Sequence, residues 1–428
     1  MNKATQYIEK NIQNVNTVYK PSYHLTAPVG WINDPNGFIY FDGEYHLFYQ
    51  HYPYATEWGP MHWGHAKTKD LVNWEHLPVA LEPTENYEAD GCFSGSAVVK
   101  DDRLYLMYTG HYERNGVKQE TQCIAYSDDG INFEKYAHNP VISSEHISGI
   151  ADEADFRDPK VFEKDGIFYC VVASKTIDNL GQILLFESID LFDWQFKSVL
   201  LEGDEKQGIM WECPDLFELG NKDVLIISPI QMPSQGNQYQ NVSSAVAFIG
   251  TVDWKSGKFK VENYHEIDSG LDFYAPQTCE TESKERLLVA WMQMWGRTMP
   301  PHDLNHGWVN AMTIPRKIEL RQGRVVQLPV AIDKKFRKKV LDVKKIQISE
   351  ASDMEISISK NSIVSFEIEK GESAIASVKI GTRAEHILVA YNFEKEELSI
   401  DRSNSGYKII GDEEPIIERR VVKSEQID

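Results

Sequence analysis

The sequence predicts an all-β protein: a five-bladed β-propeller followed by a small, abbreviated β-sandwich. Three observations predict it. A unit of about sixty residues recurs five times, no long helical pattern separates the units, and the end of the chain changes to plain period-two alternation. The 428 residues, 42% of them hydrophobic, with 10 Trp, 20 Tyr and 18 Phe, can bury a large core, which excludes disordered and fibrous classes. All the tryptophans lie at or before Trp308, and only Phe336, Phe366, Tyr391, Phe393 and Tyr407 are aromatic beyond residue 330. That shift sets three regions: 1–19, 20–330 and 331–428. The basic stretch Lys334–Lys339 reads as the connection.

In residues 1–19, Tyr7, Ile8, Ile12 and Val15 recur at near-helical spacing, so one helix packed on the body through that face is expected. No apolar leader-like segment precedes it and no apolar run exceeds strand length, which suggests a cytoplasmic protein without membrane contact. Five cysteines, an odd number without metal-like spacing, agree with a reducing compartment.

The repeat begins with a polar motif, a short strand, a tight turn and a second strand: NDPNGFIYFDGEYHLFYQ, FSGSAVVKDDRLYLMYTG, RDPKVFEKDGIFYCVVAS, ECPDLFELGNKDVLIISP and YAPQTCETESKERLLVAW. The second strands are expected near Tyr45, Leu104, Ile167, Val224 and Leu287, at intervals of 59, 63, 57 and 63. A third strand, a turn and a fourth strand follow in AKTKDLVNWEHL, AYSDDGINFEKY, FESIDLFDWQFK and GTVDWKSGKFKV, where Trp74, Phe133, Trp194 and Phe259 hold comparable places. The fifth unit ends in MTIPRKIEL and GRVVQLPV. Four strands per unit and five units close into a ring with only short edges. Beyond residue 340, MEISISK, SIVSFEIE, AIASVKI, HILVAYNF and ELSIDRS read as half-buried antiparallel strands.

The repeat gives polar residues an address. Asp34, Ser94, Asp158, Glu212 and Tyr274 each precede a second strand by nine to thirteen residues, so in a propeller they converge at one mouth of the central channel. Three are carboxylates, which are costly together unless one is protonated or a cation intervenes, and Arg157 stands beside Asp158. Paired carboxyls in unlike environments serve glycoside hydrolysis. Trp31, Trp58, Trp63, Trp211, Trp291 and Trp295 flank the motifs with flat apolar faces, and Asn33, Gln50 and Ser94 could read hydroxyl groups. Singly, each residue has a plainer explanation: Asp34-Pro35-Asn36-Gly37 is a turn sequence, and tryptophans are usually core.

The formal charge of −21, about −19 of it on the first 330 residues, disfavours nucleic acid and anionic membrane surfaces as partners. His62-x-x-His65, with His51 nearby, lacks an acid at zinc spacing, so no metal and no cofactor is expected; there is no phosphate loop and no GxSxG elbow.

Trp31-Ile32-Asn33-Asp34-Pro35-Asn36-Gly37, Phe93-Ser94-Gly95-Ser96, Arg157-Asp158-Pro159, Trp211-Glu212-Cys213-Pro214-Asp215 and Phe273-Tyr274-Ala275 together closely resemble the motifs of glycoside hydrolase family 32, the β-fructofuranosidases, in the family's order. The resemblance implies a propeller plus sandwich, Asp34 as nucleophile, Glu212 as general acid/base and Asp158 as transition-state stabiliser. It further implies a fructose pocket of Asn33, Gln50, Trp58, Phe93, Ser94, Arg157, Tyr274 and one of Trp291 and Trp295, with Trp31 beside them. The expected reaction is retaining hydrolysis of sucrose, sucrose 6-phosphate or short fructo-oligosaccharides by a monomer or homodimer; the alternatives are a fructosyltransferase and a silent sugar-binding propeller. In the family the sandwich continues past a DRS-like segment to a second block of strands, whereas here Asp401-Arg402-Ser403 is followed by 25 residues, hence the expected abbreviation. Arg297, His302 and His306, after the fifth motif, are candidates to meet a 6-phosphate.

Overall fold

The computed structural model describes residues 2–332, 334–342, 357–359 and 361–409 and the backbone of 419–423. Five of its six sheets are the blades of a propeller. Blade I runs Gly30–Phe41, Glu44–Tyr52, His62–Thr68, Glu75–Leu81; blade II runs Gly91–Lys100, Arg103–Arg114, Val117–Ser127, Glu134–Lys135. Blade III is Phe156–Lys164, Ile167–Lys175, Gly181–Ser188, Gln195–Glu202, and blade IV is Met210–Leu219, Lys222–Ile230, Val246–Asp253, Lys258–Glu266. Blade V comprises Tyr274–Glu280, Arg286–Trp291, Arg316–Arg321 and Arg324–Pro329. The first strands touch one another in the cyclic order I, II, III, IV, V, and so line the channel.

Inner strands form because both sheet faces are covered, which suits runs of β-branched and aromatic residues. Ile167–Lys175 is buried at all but its end residues. Period-two alternation splits its side chains: Cys170 and Val172 pack toward blade II, whereas Tyr169, Val171 and Ala173 pack toward blade IV. Five apolar clusters fill the five clefts between neighbouring blades. Of the repeated aromatics at or just before the fourth strands, Trp194 and Phe259 are buried in these clusters and Trp74 and Phe133 pack, partly buried, against them. A large side chain buried this way contributes roughly 1.5–3 kcal/mol.

The turns into the fourth strands share a device. Asp70 accepts from the backbone N–H of Val72 (3.0 Å) and Asn73 (2.7 Å), Asp129 from Ile131 and Asn132 (2.8 Å each), and Asp190 from Phe192 (2.8 Å) and Asp193 (2.9 Å). These are Asx-turns, in which a short carboxylate takes the place of a backbone acceptor.

Every channel-lining strand breaks register at its motif: between Ile32 and Pro35, Phe93 and Gly95, Arg157 and Lys160, Glu212 and Asp215, and Tyr274 and Gln277; the first strand breaks again between Asn36 and Ile39. Such a bulge leaves a residue without a ladder partner and re-aims its side chain. Pro159, Pro214 and Pro276 stand inside three of these bulges, where a missing N–H costs nothing, and Pro35 is the first residue to pair again after the bulge in its strand. Asp158, Cys213 and Ala275 adopt φ of +63°, +49° and +49°, a conformation that non-glycine residues reach only under constraint.

The ring closes between blades V and I. The two-residue strand Trp308–Val309 pairs in parallel with Gly30 and Trp31. Gly30 N–H donates to Gly307 O (2.9 Å), Asn310 Nδ2 to Ile32 O (2.9 Å) and Met312 N–H to Leu25 O (2.8 Å). Gly30 is required there: at φ +78° a Cβ would lie 2.3 Å from Tyr52 O.

The N-terminal helix spans Lys3–Asn11, capped by the Asn2 side chain, which accepts from Thr5 N–H (2.9 Å). Its face differs from the expected one. Ala4 and Thr5 are buried, Thr5 Oγ1 accepts from Val79 N–H (3.0 Å), and Ile12 is 50% exposed, because the helix ends in a 3₁₀ turn at Ile12–Asn14 and loses its spacing. At the other end, Ile375–Gly381, His386–Asn392, Glu397–Asp401 and Arg419–Lys423 form one antiparallel sheet. The SIVSFEIE stretch, expected as a strand, makes no ladder, and Ile363, Val364, Phe366 and Ile368 are exposed. Alternation specifies the faces of a strand but not a partner edge. Most of MEISISK lies outside the described residues. Arg402 Nη1 ties this sheet to the propeller through Asp272 (2.6 Å).

Candidate active site

The five bulges bring their motif residues together at one mouth of the channel. Asp34, 9% exposed, accepts from Asn33 Nδ2 at Oδ1 (3.0 Å) and from Ser94 Oγ at Oδ2 (2.8 Å). Asn33 is oriented in turn by Trp31 Nε1, which donates to its Oδ1 (2.7 Å). Asp158 donates its N–H to Thr109 Oγ1 (2.9 Å) and accepts at Oδ2 from Cys213 N–H (3.0 Å). Cys213 Sγ bridges the two aspartates, 3.6 Å from Asp34 Oδ2 and 3.5 Å from Asp158 Oδ2.

Glu212 is held from both sides. Arg157 donates from Nε (3.1 Å) and Nη2 (2.8 Å) to Oε1, and Tyr274 OH donates to Oε2 (2.5 Å). Tyr274 OH also reaches Ser228 O at 3.2 Å. The remaining Arg157 nitrogen, Nη1, bonds Glu120 Oε2 (3.1 Å) and Asp155 Oδ1 (2.8 Å). One guanidinium thus contacts three carboxylates in a largely buried site, where such charge-assisted bonds are strong.

Electrostatics separates these acids. Burial, reinforced by the Glu212 charge, pushes Asp34 up to about 6 against the donors Ser94, Asn33 and Cys213. Asp158 is also pushed up, first by burial and then by Glu212 and Asp34, with Arg157 opposing. Glu120 behaves oppositely: although burial opposes ionisation, Arg157, His111 and Lys118 hold it down at about 2.

The aromatic wall is stepped. Trp31 is buried and stacks on Trp295 (6.0 Å between ring centroids), and Trp291 lies edge-on to Trp295 at 4.8 Å. Trp291 is fully buried whereas Trp295 keeps a partly open face, so of the pair Trp295 is the one a ligand can touch. Phe93 stacks on His111 (4.0 Å) and meets Trp58, which is 48% exposed, edge-on at 5.8 Å. Gln50, buried, donates to Cys92 O (3.1 Å). Below the acids the channel narrows to a small cavity between Asn36, Pro159, Pro214 and Gln277. Deeper still, the Lys160–Asp215 ion pair (3.1 Å) bridges blades III and IV.

Two expectations about cations fail. Arg297 is buried in its own ion pair, donating to Asp272 Oδ1 (2.9 Å), Asn241 Oδ1 (2.8 Å) and Leu271 O. His306 is 5% exposed against the ring of Tyr19. Only His302 of the three faces the rim, hydrogen-bonded to Thr56 Oγ1 (2.7 Å). In so acidic a chain, loop cations find internal carboxylates first. As for metals, His51 Nδ1 bonds Trp31 O (2.7 Å), His62 Nδ1 bonds Pro60 O (2.9 Å) and His65 Nε2 meets His46 Nδ1 (3.0 Å); no group of three potential ligands occurs among the described residues.

Sequence reasoning missed Cys213, Thr109 and Glu120 as parts of this site. Cys213 sat within a recognised motif as a neighbour of Glu212. Glu120 lies in a third strand, away from any motif, and no signal in one sequence marks it.

Known proteins share this sequence and fold. Residues 24–329 match the family described as glycosyl hydrolases family 32, N-terminal domain. The sucrose-6-phosphate hydrolase of Zymomonas mobilis is 37% identical over 411 residues, 91% of this chain and 78% of that protein. That of Bacillus subtilis is 40% identical over 354 residues, covering 81% of this chain and 72% of its own. Among solved structures, the Bombyx mori GH32 beta-fructofuranosidase is 34% identical with a TM-score of 0.83, covering 100% of this chain and 86% of that one. The sucrose-6-phosphate hydrolase from Lactobacillus gasseri is 26% identical with a TM-score of 0.82, covering 98% and 85%.

Proposed function

The chain belongs to glycosyl hydrolase family 32 and is a glycosidase, and from that premise we propose how its residues divide the hydrolysis of sucrose and sucrose 6-phosphate. Asp34 is the nucleophile. Its carboxylate attacks the anomeric C2 of the terminal β-fructofuranosyl unit, forming a C2–O bond as the bond to the glucosyl oxygen breaks. Glu212 gives its proton to that leaving oxygen. It then takes a proton from water, which attacks C2 and releases fructose and Asp34. Asp158 faces the positive charge that develops on the ring, an interaction stronger in the transition state than in the ground state.

The observation that carries this reading is the unequal fixation of the acids. Asp34 is held by neutral donors, Ser94 and Asn33, which leave it free to attack; Glu212 is held by Arg157 and Tyr274 in one orientation, as a proton carrier must be. Asn33, Gln50, Trp58, Phe93, Ser94, Arg157, Tyr274 and Trp295 form the fructose pocket, with Trp31 and Trp291 supporting it. No cofactor or metal takes part. The enzyme works as a monomer or homodimer in the cytoplasm, where its five unpaired cysteines stay reduced.

The test is turnover on sucrose, sucrose 6-phosphate and 1-kestose by wild type, Asp34→Ala and Glu212→Ala. Both variants are expected to lose at least 10³-fold in kcat on every substrate. Wild-type rates in either would overturn the assignment, and fructosyl transfer exceeding fructose release would favour the transferase.

A further inference from the structure

Blade II gives the channel mouth a hydroxyl, Ser94, where blades I, III and IV give carboxylates. Its acid comes from elsewhere. Glu120, on the third strand of that blade and paired opposite His111, has a side chain with no exposed surface. Such a carboxylate is costly to bury unless every lone pair is used. Here they are used. Oε1 meets Lys118 Nζ (3.0 Å) and His111 Nδ1 (3.3 Å); Oε2 accepts from Arg157 Nη1 (3.1 Å) and Phe156 N–H (3.0 Å). Gln122, two residues on and so on the same face, donates to Phe156 O (2.8 Å). One face of one strand thus grips both backbone groups of the residue before Arg157-Asp158 and one nitrogen of Arg157 itself. The opposite edge of the guanidinium, Nε and Nη2, is the edge that bonds Glu212.

We propose that Glu120 is a positioning residue of the reaction: acting through Arg157, it aims the guanidinium edge at Glu212, and its fixed negative charge sets the potential at the mouth and with it the pH range in which the enzyme works. This rests on Glu212 being the acid/base. The charged groups facing Glu120 are Lys118 on its own strand, His111 on the neighbouring strand, and Arg157 from blade III, with Asp155 behind Lys118 at 3.1 Å and Lys175 2.7 Å beyond Asp155. Glu120→Gln removes one negative charge and leaves the potential at Glu212 more positive. Carboxyls there then lose their protons at lower pH, so both limbs of the kcat/KM profile move down together.

The experiment is the pH dependence of kcat/KM on sucrose and on an aryl β-fructofuranoside, whose leaving group needs little protonation. Glu120→Gln is expected to shift both limbs down by about half a pH unit or more, and to lose about tenfold on sucrose but only a few-fold on the aryl substrate. Glu120→Asp, which keeps the charge on a shorter arm, should lower kcat and leave the limbs in place. Lys118→Met, at a position whose side chain is 33% exposed, should move the limbs up, and it carries the test should Glu120→Gln not fold. Equal losses on both substrates with unmoved limbs, or a Lys118→Met profile that does not move, would overturn the role of Glu120. A Glu212→Ala enzyme with wild-type turnover would instead overturn the assignment beneath it.

Discussion

Asp34 shows what the site costs the protein. Its carboxyl is enclosed on three sides and pushed up to about 6 from an ordinary 3.8. The sign follows from linkage: below 3.8 the folded and unfolded chains both carry a protonated Asp34, and nothing is lost. As pH rises from 3.8 to about 6, the unfolded chain gives up its proton before the folded chain does and stability falls; above that window the cost of holding the charge in the folded chain stays constant. The same ionisation arms the nucleophile, so activity and stability pull in opposite directions at this residue. Asp34→Asn keeps the shape and removes the charge. At pH 8 it should melt a few degrees above wild type while inactive, and the difference should vanish at pH 3; calorimetry at the two pH values checks it.

At the scale of elements, the Asx-turns are independent of the chemistry. Asp70 collects two backbone donors and the side chains of Asn73 (2.9 Å) and Thr68 (3.2 Å), which hold its carboxyl down at about 2. Removing these bonds in Asp70→Ala should cost about 1 kcal/mol, seen as a lower unfolding midpoint with unchanged kcat. Since the folded value is depressed, that contribution is present above the ordinary carboxylate range and fades as pH falls through about 2. The second strands of the blades were legible from the sequence to within two residues, because a strand buried on both faces writes its character into its composition. The prolines of the motifs marked where the ladders break. What stayed hidden depends on partners distant in the chain: the grip of Glu120 on Arg157, the capture of Arg297 by Asp272, and the missing edge that leaves SIVSFEIE without a ladder. A periodic pattern reports faces, and none of these three is a matter of faces.

For the molecule as a whole, the charge of −21 settles into two roles. Some acids do chemistry, and others neutralise cations that would otherwise reach solvent. Asp272 does the latter twice, bonding Arg297 of the rim loop and Arg402 of the C-terminal sheet, and Tyr407 OH adds a second tie to the rim loop at Asp303 Oδ2 (2.8 Å). The closure of the ring lies at the same mouth. Besides the apolar cleft that the last and first blades share, the ladder between them among the described residues is two residue pairs with a few bonds to the 307–312 segment, and the strand they hold is the one that carries Trp31, Asn33 and Asp34. Heat should therefore end the enzyme's working life at this clasp. On slow warming, activity is expected to decay at temperatures where far-ultraviolet circular dichroism still reports intact sheets, and a disulfide engineered across the clasp should bring the two curves together. In a closed ring, durability is a local property, and here evolution has stored the catalytic machinery beside the catch.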